Sequence, residues 1–163
     1  MSDADWIVRE ATLDDLDRLV EWACAMAHET EAKALDPATV RAGVEAGLRD
    51  ASRARYFIAA RRVQMAGRET IDAPAATLML TSEWSDWRNG TWWWIQRVYV
   101  APGHRRQGGY RALHAYVENA ARASEGVIGL RLYVERDNAN AQSTYTALGM
   151  TDAHYQIFEQ PLS

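Results

Sequence analysis

Val98 to Leu113 reads VYVAPGHRRQGGYRAL: an apolar strand end, a short loop with two arginines and two glycines, then the spacing of a helix. The first turn of a helix has backbone N–H groups without intrahelical partners and carries the positive end of the helix dipole. Gly108 and Gly109 let a ligand come close to the backbone. Arg105 and Arg106 add two planar cationic forks. Together these features predict an anion site that suits a pyrophosphate. Two other phosphate-binding patterns do not fit. The loop lacks the Gly-Lys-Ser/Thr end of a Walker sequence, and it lacks three glycines spaced G-x-G-x-x-G.

Outward from this loop, the chain alternates between the two periodicities. Trp92 to Val100 (WWWIQRVYV) is apolar on both faces, which predicts a central fourth strand. The turn SDWRNG before it, residues 85–90, carries the Asn-Gly hairpin signal. Further upstream, strands are predicted at Trp6–Ala11, Arg55–Arg61 and Ala75–Trp84, with a polar hairpin loop at Gln64–Pro74. Thr12 starts a helix with Leu13, Leu16, Leu19, Val20, Ala23 and Ala27 on one face, running to about His28. Asp36-Pro37 starts a second that runs to about Arg49. Downstream, a third helix covers about Gly108–Ala123 and a fifth strand Val127–Val134. A last helix at Asn138–Leu148 is closed by Gly149, and a final strand is expected at Tyr155–Gln160. The order predicts an α+β fold: a mixed central sheet flanked by helices, as a single domain over residues 1–163.

Composition excludes several classes. The 163 residues are 48% hydrophobic and 25% charged, which fits a folded domain rather than a disordered chain. No apolar run is long enough to span a membrane, and the first residues lack a basic region followed by an apolar stretch, so neither a membrane partner nor a secretory signal is expected. The formal charge of −4 argues against nucleic acid as a partner. The one cysteine, Cys24, has no disulfide partner in the chain, which fits the cytoplasm and rules out a cysteine-based zinc site. No histidine pair has metal-ligand spacing, so no metal is expected. Seven Trp and seven Tyr stand against two Phe; rings with a polar handle suit half-wet pockets and interfaces.

The loop resembles the signature of the GNAT superfamily of acetyl-CoA-dependent N-acetyltransferases: a strand, V-x-P, then R/Q-x-x-G-x-G/A opening a helix. Here these are Val100, Pro102, Arg105, Gly108 and Tyr110, the last replacing the usual small residue. A second match, to N-x-x-A-x-x-x-Y-x-x-x-G-F, falls on Asn138, Ala141, Tyr145, Gly149 and Met150. The resemblance covers nearly all the chain. It implies a mostly antiparallel sheet that splays between strands four and five, and acetyl-CoA as the acetyl donor. It further implies that the amides of Arg105, Arg106, Gln107, Gly108, Gly109 and Tyr110 hold the pyrophosphate. The pantetheine arm would pair with Val98, Tyr99 and Val100, with Asn138 bonding the arm or the adjoining backbone. Tyr145 takes the family position of the acid that protonates the departing thiolate. Edge strands of such proteins commonly pair, so a homodimer is possible.

The reaction makes further demands. A primary amine is protonated at neutral pH and must lose a proton before it attacks. Relatives carry a carboxylate on strand four, where this chain has only Gln96 and Arg97 as strongly polar side chains; both are expected to face the substrate cleft. Glu83, at the end of strand three, is the first choice for the base, directly or through water, and Asp86 the second. His28 and Glu29 stand where the acceptor site would be walled, and Trp84 is a candidate for an aromatic wall that attracts an ammonium group. The acceptor set is therefore His28, Glu29, Trp84, Asp86 and Gln96. A small-molecule amine is the expected acceptor. A protein lysine or N-terminus, a non-catalytic acyl-CoA-binding regulator, and an interaction module built on the Trp-rich hairpin are the alternatives.

Overall fold

A computed structural model describes residues 6–65 and 68–162. The strands are β1 (Trp6–Glu10), β2 (Arg55–Met65), β3 (Arg68–Ser85), β4 (Gly90–Val100) and β5 (Val127–Arg131). The helices are α1 (Leu16–Glu31), α2 (Pro37–Arg49), α3 (Gly109–Ala123) and α4 (Ala139–Ala147). The sheet runs in the order β1-β2-β3-β4-β5, antiparallel except for the parallel pair β4–β5. Backbone contacts divide the chain into a larger unit, Met1–Tyr133, and a smaller one, Val134–Ser163.

The larger unit buries apolar residues on both sheet faces. On one face Phe57, Leu78, Leu80, Trp93 and Ile95 meet Leu113, Val117 and Ala121 of α3, at the four-residue spacing of a helix stripe. On the other, Tyr56, Ile58 and Tyr99 meet Leu19, Val20 and Trp22 of α1 and Val44 of α2. The start of α1 is pinned locally. Asp15 accepts the Thr12 amide at 2.9 Å and takes both guanidinium nitrogens of Arg9, at 2.7 and 2.8 Å. At α2, Asp36 accepts the amides of Ala38 and Thr39, with Pro37 at the first helical position.

Two irregularities shape β4. The β3–β4 register slips between Met79 and Leu80: Leu80 faces Ile95 and Met79 faces Arg97, which leaves Gln96 as a bulge. The extra residue reverses the alternation. Trp93 and Ile95 face α3 before the bulge, and Val98 and Val100 do so after it, while Tyr99 turns to α1 and α2. The β4–β5 pairing also stops at Trp94–Arg131, so the rest of β4 has no partner from β5. The splay expected between strands four and five is present.

Several expected boundaries differ; β5 ends at Arg131 rather than Val134, and α1 starts at Leu16 after a 3₁₀ turn at Leu13–Asp15. Gln64–Pro74 is mostly strand: β2 and β3 continue as a ribbon, with Gln64 opposite Glu69 and Met65 opposite Arg68. β1 ends its pairing at Arg61, so the ribbon beyond has no β1 neighbour. Pro74 is tolerated because it sits at a register shift, opposite Ala60. The final strand expected at Tyr155–Gln160 is not formed; the segment pairs with no strand, and Tyr155, Ile157 and Phe158 are exposed. Alternating apolar residues make a strand only when another strand offers its ladder.

Candidate active site

Two glycines and an arginine set the shape of the loop between β4 and α3. After a short 3₁₀ turn at Pro102–His104, Arg106 adopts φ +58° and Gly108 φ +89°. Positive φ at these two positions turns the chain sharply just ahead of the helix start. The first helical bond is Ala112 N–H to Gly108 C=O at 3.0 Å. The amides of Gly108, Gly109 and Arg111 have no acceptor among the described residues. Gly109 is needed for space: a Cβ there would lie 3.0 Å from the Trp6 ring.

Residues far away in sequence hold this loop. Trp6 Nε1 donates to the Gln107 carbonyl at 2.9 Å, and Arg61 donates to the Gln107 side-chain oxygen at 2.7 Å. The Gln107 amide in turn donates to Gly103 O at 2.9 Å. Trp6 and Arg61 were not legible as site residues, because their partners lie 101 and 46 residues along the chain. Arg105 donates to the Val100 carbonyl at 2.9 Å and pairs with Glu29 at the end of α1. The Tyr99 hydroxyl donates to the same carboxylate at 3.1 Å. Arg105, and then Tyr99, hold the Glu29 carboxyl below the usual carboxylate range. Burial and the Glu29 charge push the Tyr99 phenol up. Arg106 is exposed. Tyr110 is half-buried in the first turn of α3, with its ring centroid 6.0 Å from that of His114.

The remaining expected residues fall in three places. Gln96, at the bulge, donates to Thr81 Oγ1 at 3.0 Å and accepts from Tyr133 at 3.4 Å. Glu83, Trp84 and Asp86 lie at the β3–β4 hairpin. Glu83 sits opposite Trp92, four residues from Gln96 and so about 13 Å along the strand. Glu83 pairs with Arg131 at 2.5 Å, and Asp86 accepts the Trp87 amide at 2.8 Å. Trp84 is 61% exposed. His28 and Glu29 lie at the opposite end of β4, by Tyr99 and Arg105. The structure therefore joins Glu29 to the loop and keeps Glu83, Trp84 and Asp86 apart from it.

In the smaller unit, Asn138 caps α4: its side-chain oxygen accepts the Ala141 amide at 3.1 Å. Gly149, at φ +86°, ends the helix, and Met150 N–H returns to Tyr145 O at 3.0 Å. Tyr145 is half-buried, and that burial pushes its phenol above the ordinary tyrosine value.

A strand that loses its neighbour midway, ahead of a helix start with free amides, is the arrangement of the GNAT fold. Residues 16–150 match the acetyltransferase (GNAT) family, and the chain belongs to it. The protein is an acyltransferase. A possible acetyltransferase from Clostridium difficile 630 shares 38% identity at a TM-score of 0.84, with 98% of this chain and 99% of that one covered. More distant structures share the fold. The aminoglycoside N-acetyltransferase AAC(6')-Iy, solved with a bisubstrate analogue of CoA, is 16% identical at a TM-score of 0.72, covering 97% of this chain and 99% of that one. A ribosomal-protein-alanine N-acetyltransferase from Brucella melitensis biovar Abortus 2308 is 14% identical at 0.68, covering 96% and 99%. No curated protein matches the chain.

Proposed function

We propose that the protein moves an acetyl group from acetyl-CoA to the primary amine of a small molecule, by direct attack on the thioester. One observation carries the reading: unpartnered amides at Gly108, Gly109 and Arg111 follow, across one short loop, a strand whose far half has no β5 partner. Loop amides from Arg105 to Tyr110 hold the diphosphate. Val98 to Val100 pair with the pantetheine arm along the free edge of β4, and Asn138 supports the arm. A β4 amide near Val98 stabilises the oxyanion that forms on attack.

Protons are moved by two groups. The amine gives up its proton through a chain of waters to Glu83, which stands two residues from Thr81 on the same face of β3; Thr81 is bonded to Gln96 at the bulge. The amine nitrogen then bonds to the carbonyl carbon, the C–S bond breaks, and Tyr145 protonates the thiolate, leaving free CoA thiol. Burial favours the protonated phenol, the form an acid needs. His28, Glu29, Trp84, Asp86 and Gln96 contribute to the acceptor side, with Asp86 the second choice for the base. The one cysteine fits a cytoplasmic setting.

The test is an amine panel read by release of free CoA thiol. Turnover with at least one small amine supports the reading. Binding of acetyl-CoA with no turnover on any amine or peptide favours an acyl-CoA-binding regulator instead.

A further inference from the structure

β4 carries a row of donors that the chain does not satisfy. Trp92 Nε1, Trp94 Nε1 and one terminal nitrogen of Arg97 are buried, with no hydrogen-bond partner among the described residues. Their β3 partners are Glu83, Thr81 and Met79, which alternate onto one face, so the three donors share a face across the bulge. Met79 packs with Tyr56 and Tyr99 in the cluster under α1 and α2, which identifies that face. Buried polar groups are nearly always paired, so three orphans in a row call for a reason.

Arg97 is the most demanding of them. Arg9, Arg55 and Arg131 each pair with a carboxylate: Asp15, Glu10 and Glu83. Arg97 pairs with none among the described residues. Its guanidinium lies 5.9 Å from the Tyr56 ring centroid, and the titratable groups it senses are Tyr56 and Cys24, neither of which supplies a fixed counter-charge. Desolvation pulls the Arg97 pKa down, the mark of a cation kept in a dry place. A buried charge without a partner destabilises a fold, and chains retain such groups where a ligand completes them.

We propose that Arg97 binds a carboxylate of the acceptor, so that the substrate is an amino acid or a close analogue. The inference rests on the acetyl-transfer reading above and narrows its substrate class. A guanidinium fork is a donor only; it recognises an acceptor-only group, and a carboxylate matches the fork with two oxygens. Arg97 adjoins both the bulge at Gln96 and Val98. A molecule held there by its carboxylate keeps an amine a few bonds away near the reacting carbonyl. A site built on buried donors rejects an analogue that lacks the matching group, because the donors are then left unpaired.

The experiment compares each of the twenty amino acids with its methyl ester, which keeps the amine and loses the charge. Free-thiol release gives kcat/KM, and calorimetry gives binding of the N-acetyl amino acids and their methyl esters. The best free acid is expected to exceed its ester at least 50-fold in kcat/KM, chiefly through KM, and its acetylated form to bind at least tenfold tighter than the ester. Arg97→Gln brings both ratios to within about threefold while acetyl-CoA affinity is unchanged. Equal use and equal binding of acid and ester by the unsubstituted protein, or no binding of either, overturns the assignment; this comparison stands even if the variant does not fold. Loss of acetyl-CoA binding in the unsubstituted protein would instead strike the acetyl-transfer reading.

Discussion

Gly109 shows how one hydrogen atom in place of a methyl group sets the loop. Its Cα rests against Trp6, and a Cβ would come to 3.0 Å from that ring, so either the indole or the loop must move. Gly109→Ala is expected to weaken acetyl-CoA binding at least tenfold, about 1.4 kcal/mol, measured by calorimetry. Its circular dichroism should be unchanged. Tyr145 tests the chemistry rather than the binding. Tyr145→Phe should lower kcat by about 10²–10⁴-fold and leave acetyl-CoA affinity intact. Because burial pushes this phenol above its usual value near 10, the kcat profile should show no alkaline loss from it below about pH 10. An unchanged kcat in the variant would remove the acid role.

At the scale of elements, the loop is held by a strand at the far edge of the sheet. Trp6 on β1 donates to Gln107, and Arg61 on β2 holds the side chain of the same residue. Trp6→Phe keeps an aromatic ring and loses the donor. An ordinary hydrogen bond is worth about 1 kcal/mol, so acetyl-CoA affinity should fall about fivefold, measured by the same titration. This contact was not legible in the sequence, because nothing local marks a partner 101 residues away. The loop and α3 were legible, since Pro102, Gly108 and the apolar spacing of Leu113 and Val117 are local signals. The α4 start was too, where Asn138 caps the helix. The outer ribbon reads as a loop in the sequence because Gly67 and Pro74 are turn signals, and only its pairing partner makes it strand. Tyr155–Gln160 was misread as a strand because alternation records only a capacity to pair. The bulge at Gln96 left no local mark either: it appears only when β3 is laid against β4.

Across the whole molecule, the α3 layer and two titratable groups govern stability. Leu113 is fully buried between α3 and the sheet, and Leu113→Ala should cost about 2–5 kcal/mol in urea unfolding. His114, beside it, is buried with its Nε2 unpaired among the described residues, and desolvation holds its pKa below the ordinary value. An unfolded histidine titrates near pH 6.5, so on acidification the unfolded chain takes up this proton first. The contribution is whole above about pH 6.5 and is lost as pH falls through the folded value. His114→Gln should flatten the stability curve over that window. Asp15 acts lower: the hydrogen bond from Arg9 depresses its pKa, so its contribution is present above about pH 4 and lost below.

We propose that the amides ahead of α3 grip the diphosphate of coenzyme A. Titration calorimetry of acetyl-CoA into the purified protein tests it most directly. Saturable binding at one site per chain is expected, weakened at least tenfold in Gly109→Ala. Absence of any affinity, or equal affinity in the variant, would contradict it.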